Sequence, residues 1–97
     1  MPCSLDRKFK VRRLVLDYFR RRSEDDSLGE DTKVSSLLLD EQAKDSYHRG
    51  IAKKISDEGC SMRGFTPTQF KSKKTLGEII DAAWEAVAEN DKTPAKA

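Results

Sequence analysis

Apolar residues in this chain recur at helical spacing in three stretches, and almost nowhere in the alternation that marks a half-buried strand. Val11, Leu14, Val15 and Tyr18 follow one another at three- and four-residue intervals, and Phe9, Leu16 and Phe19 widen the same face. This predicts an amphipathic, basic helix from about Asp6 to Arg22. The second stretch, KVSSLLLDEQAKDSYHRGIAKKISDEG, places Tyr47, Ile51 and Ile55 four residues apart and predicts helix over 47 to 57. Gly59 stands just beyond as its stop, because glycine enters the left-handed conformation without steric cost. In the third, Leu76, Ile79, Ile80, Ala83, Trp84 and Val87 share a stripe opened by the capping-box sequence Thr75-Leu76-Gly77-Glu78. Ahead of it, Thr66-Pro67-Thr68-Gln69 sets a capping threonine, a proline at the first helical position and a glutamine three residues after the cap, which predicts a very short helix pinned by Phe65 and Phe70.

The connections read as polar. SEDDSLGEDT is a solvated link with Leu28 as its one apolar anchor, and NDKTPAKA has nothing to bury. The expected architecture is therefore all-α: a small four-helix bundle of three long helices and one short, with a flexible N-terminus over 1–5, a single helical domain over 6–89 and a disordered tail over 90–97. Leu14, Val15, Ile51, Ile55, Ile80 and Val87 are expected to share its core.

Ninety-seven residues, 36% hydrophobic and 37% charged, allow one small core and no second domain. No apolar run approaches the roughly 20 residues that cross a bilayer, and MPCSLDRKFK lacks the apolar stretch of a secretory signal; both point to a cytoplasmic protein. Cys3 and Cys60 have neither the density of a disulfide framework nor the spacing of a zinc site, so they read as reduced thiols, Cys60 filling space as a small hydrophobe. His48 is the single histidine and is expected at the surface near Ser46, with no histidine-rich metal site to join. Glu24, Asp25, Asp26, Glu30 and Asp31 lack the alternating ligand spacing of a calcium loop. No catalytic constellation is present, so no enzyme and no metal are expected. Arg7, Lys8, Lys10, Arg12, Arg13, Arg20, Arg21 and Arg22 crowd the first helix, but a net charge of only +2 and the absence of any base-reading motif disfavour a nucleic-acid partner.

LLDEQAKDSY over 38–47 and TLGEIIDAAWEAV over 75–87, with 28 residues between Ser46 and Thr75, carry a likeness that covers roughly residues 8 to 88. In them, and in the order long helix, long loop, second helix, stub and last helix, the chain resembles the acyl carrier protein family. The resemblance implies that Ser46 of Asp45-Ser46-Tyr47 opens the second helix and bears a 4'-phosphopantetheine arm, with Asp45 as the cap and Tyr47 pointing inward. It also implies a monomer that presents an acyl or peptidyl thioester. Its partners would be a phosphopantetheinyl transferase and acyl-transferring enzymes, as in fatty acid or polyketide biosynthesis. A phosphodiester at that place gains from the free amides and positive dipole end of a helix N-terminus.

The chain departs from the family pattern in Ala43, where a glycine is usual, in Tyr47, where leucine is usual, and in a second helix made basic by His48, Arg49, Lys53 and Lys54. A carrier with such a helix would serve a dedicated partner. A second registration sets Asp40-Glu41 on the motif, starts the helix at Asp40 and leaves Ser46 in its middle without an attachment role. The chain is then a carrier-like helical module that lacks the arm and binds a protein partner. The two registrations differ in one observable: whether residues 41–44 are helical.

Overall fold

The first apolar stripe folds as α1, Lys8–Ser23, in a computed structural model that describes residues 3–87. The helix starts two residues later than expected, because extended Arg7 offers no side-chain cap. It ends where Glu24 turns left-handed (φ 52°), with Arg20, Arg21 and Arg22 in its last turn, where cations oppose the negative dipole end. Val11, Val15, Leu16 and Phe19 are buried; Leu14, expected in the core, packs only at its edge.

A long loop follows, with a 3-10 turn at Val34–Leu37. Leu28 is buried, as an anchor should be, and its carbonyl accepts from Arg20 Nε at 2.9 Å. The loop then docks on the start of α4, Leu76–Ala86: the Leu76 amide donates to the Thr32 carbonyl at 3.0 Å and the Gly77 amide to the Glu30 carbonyl at 2.9 Å. Gly77 permits this approach, since a Cβ there would lie 3.1 Å from the Glu30 oxygen. Thr75 and Glu78 complete the expected capping box, so the first-turn amides of α4 are all occupied.

Past the 3-10 turn, Leu38 adopts a left-handed backbone (φ 54°) and leaves 89% of its surface exposed. That conformation costs an L-residue about 1–2 kcal/mol, and nothing among the described residues covers the side chain in return.

α2 spans Glu41–Asp57 and α3 spans Pro67–Lys71. Gly59 takes positive φ (84°) beyond α2, as its stop should. Thr66 caps α3 through the Gln69 amide at 3.1 Å, but Gln69 Oε1 is buried without a partner, so the reciprocal half of a capping box is not made. α1 packs against α2 and α4, and α3 closes the gap between them. Val15, Ile51, Ile55, Ile80 and Val87 join the core as expected, and Trp84 packs only at its edge. No strand forms among the described residues: Lys33 bridges Thr75 and Met62 bridges Val87 as isolated pairs. No helix among them is long and apolar enough to cross a membrane.

Residues 3–5, part of the segment expected to be flexible, pack against the end of α2 and the residues after it. Leu5 is buried, the Ser4 amide donates to the Glu58 carbonyl at 3.0 Å, and Cys3 forms a disulfide with Cys60 across a Cα–Cα distance of 4.6 Å. The two thiols are not free, and the reason is tertiary: the bond joins positions 57 apart, which local spacing does not reveal. The tail expected to be disordered, 90–97, lies outside the described residues.

Candidate functional site

The structure takes the second registration. Asp40, in extended conformation, accepts the Ala43 amide on its Oδ1 at 2.7 Å, and its carbonyl accepts from the Lys44 amide at 2.9 Å. Residues 41–44 are therefore helical, and Ser46 is a mid-helix residue with its amide inside the helical ladder. The physical cause is local: between Glu41 and Asp45 stand good helix formers with no glycine or proline to stop propagation. Asp45 likewise caps nothing. Its carboxylate lies 3.0 Å from Lys71 Nζ, which Glu41 approaches at 2.8 Å. The hydrogen bond that Lys71 donates to Glu41, followed by the one it donates to Asp45, holds its ammonium above the ordinary lysine range. Lys71 therefore keeps its charge past the usual lysine pKa, and its side of the link between α2 and α3 is lost as pH rises through the raised value.

Ser46 has instead become part of a bracket between α1 and α2. Arg22 Nη1 donates to Ser46 Oγ at 2.9 Å and to Tyr18 Oη at 3.0 Å, and the guanidinium carbon lies 4.4 Å from the Tyr47 ring centroid. Ser23 Oγ and Tyr47 Oη are hydrogen-bonded at 3.2 Å. Tyr47 is buried, as an inward residue should be, and stands against Phe19 with ring centroids 4.9 Å apart. His48 corrects a further expectation. It is buried, not superficial: Nε2–H donates to the Phe65 carbonyl at 2.6 Å and the ring stacks on Phe65 at 4.9 Å, which makes it a core residue beneath α3. Sequence carried no signal for this, because the partner lies 17 positions away.

The basic face of α1 is largely engaged within the molecule. Lys8 pairs with Asp81 at 2.6 Å, Lys10 with Asp6 at 2.8 Å and Arg12 with Glu30 at 3.1 Å, while Arg20 and Arg22 hold the groups already described.

A different basic surface has no such partners. Lys33 at the start of the 3-10 turn, Lys44 on the first turns of α2, and Lys73 and Lys74 between α3 and α4 line one recess of about 480 Å³ with Val34, Ser35, Thr75 and Glu78. None of the four lysines forms an ion pair among the described residues. Glu78, the one acid in the lining, turns its Oε2 to the Lys74 and Thr75 amides at 3.0 and 3.1 Å. Three separate segments supply these lysines, so no motif announces them.

No protein-family profile, curated protein or solved structure matches this chain.

Proposed function

We propose that the chain is a non-catalytic helical interaction module that has the element order of a carrier domain, lacks the phosphopantetheine arm and acts by docking a protein partner. One observation carries the reading: Ser46 sits inside α2 with its hydroxyl taken by Arg22. A phosphodiester there would meet neither the free amides nor the positive dipole end of a helix N-terminus, so both advantages of an arm site are missing. What remains is a stable scaffold with unspent charge on one face, and charge displayed on a rigid surface selects and steers a partner.

Whole-protein mass spectrometry after incubation with coenzyme A and a broad-specificity phosphopantetheinyl transferase tests this. The expected mass is unchanged. A gain of one phosphopantetheine that vanishes in Ser46→Ala would restore the carrier function.

The Cys3–Cys60 bond bears on where the module works. The cytoplasm expected from the sequence keeps thiols reduced, whereas a closed disulfide persists in an oxidising setting. Alkylation of the protein without prior reduction, read by intact mass, separates the two; the oxidised form takes no alkyl group.

A further inference from the structure

We propose that the lysine recess between the 3-10 turn and the α3–α4 link is the docking site for an acidic, amphipathic protein segment, with Leu38 as its apolar anchor. The proposal rests on the interaction-module reading and names the surface and partner chemistry that it needs. Four ammonium groups face one carboxylate across a recess of about 480 Å³. Lys8, Lys10, Arg12 and Lys71 each sit within 4 Å of an acid; what marks the recess is that it gathers four lysines, none of which does so among the described residues, around a single carboxylate. An anion that enters the recess meets four positive groups and one negative one. The end of α4 adds nothing to the attraction, because its first amides are bonded to Thr75, Thr32 and Glu30.

Leu38 decides between carboxylates and phosphodiesters. Its amide donates to the carbonyl of Ser35, a lining residue, at 3.3 Å, so the exposed leucine stands one turn from the recess. A protein interface joins an apolar anchor to a charged rim, whereas a sugar-phosphate backbone offers a lone leucine no cover. The donors are also all lysines. They act as point charges that accept carboxylates at many angles, and the recess has none of the planar arginine forks that favour phosphate.

The test uses the whole chain and fluorescein-labelled probes: a short helical peptide with glutamate on one face and leucine on the other, the same peptide with every glutamate replaced by glutamine, and single-stranded oligo-dT. Anisotropy titrations at low and physiological salt are paired with backbone-amide NMR. The glutamate peptide is expected to bind at least about tenfold tighter than its glutamine counterpart, with shifts concentrated at Lys33, Leu38, Lys44, Lys73 and Lys74. Lys44→Glu with Lys73→Glu, and separately Leu38→Ser, should each weaken it by about tenfold, whereas Arg13→Glu with Arg21→Glu leaves it within about twofold. No binding, or equal binding of both peptides, overturns the proposal. Tighter binding of oligo-dT at the recess overturns it in favour of a nucleic-acid site. Peptide shifts confined to α1 overturn the site while leaving the interaction module standing; only loading of Ser46 by the transferase removes that module reading itself.

Discussion

A helix interior ordinarily gains about 1 kcal/mol when glycine is replaced by alanine, and Gly50 in α2 is placed so that this gain is blocked. A Cβ there would fall on the Tyr18 phenol, whose ring stands edge-on to Tyr47 with centroids 5.7 Å apart and whose hydroxyl accepts from Arg22. Gly50→Ala should therefore lower the urea midpoint, overpacking costing about 1–3 kcal/mol. In a Tyr18→Ala background the same change should stabilise by about 1 kcal/mol, the ordinary helix gain. Additive effects would mean that the two residues do not touch. The Arg22 bracket follows similar logic. Ser46→Ala leaves the guanidinium free to keep Tyr18 and Tyr47, so it should cost under about 1 kcal/mol. Arg22→Ala removes two hydrogen bonds and the ring contact and should cost about 1–2 kcal/mol. A Ser46→Ala loss as large as a core deletion would refute the bracket's hierarchy.

Among the elements, α4 and α3 both open on a capping threonine, yet only Thr75 has the full box, since Gln69 Oε1 does not return to Thr66. Thr75→Ala should cost about 1–2 kcal/mol and exceed Thr66→Ala in parallel denaturation curves; the reverse order would show that the box adds nothing. Both helix starts were legible because a cap and its N3 partner lie three residues apart. The start of α2 was not, because Asp40 and Asp45-Ser46 are both competent caps and the choice falls to helix propagation across 41–45. Neither the burial of His48 nor the Cys3–Cys60 bond was legible, since each partner comes from another element. That bond offers an element-scale test. Closing a loop of 57 positions removes, in the chain-entropy account, roughly 4 kcal/mol from the unfolded state. Reduction, or Cys3→Ser, should lower stability by about 2–4 kcal/mol and release the Ser4 amide from Glu58 to hydrogen exchange. An identical urea midpoint with and without reductant would count against the pairing.

At the scale of the molecule, the distribution of charge matters more than its net value of +2. α1 has the densest basic sequence, yet Asp81, Asp6 and Glu30 draw its lysines and one arginine into pairs, and the hydrogen bond that Lys8 donates to Asp81 holds its ammonium above the ordinary range. The lysine recess, spread through the sequence and hence inconspicuous in it, gathers four lysines that form no ion pair among the described residues. A duplex binder needs a row of cations spaced along a groove, each releasing a counterion and together giving a slope of about −0.9 per phosphate in log K against log salt. Here a row along α1 would first have to break its pairs, and the recess is too small to follow a duplex. Binding to duplex DNA at physiological salt should accordingly be weak, in the nonspecific range above about a micromolar, and shallow in its salt dependence. Filter binding or anisotropy across a salt series measures both. A tight complex whose affinity falls by several logarithmic units per tenfold salt would mean that the α1 pairs open on contact with phosphate, and the basic helix, not the recess, would then be the working face of the molecule.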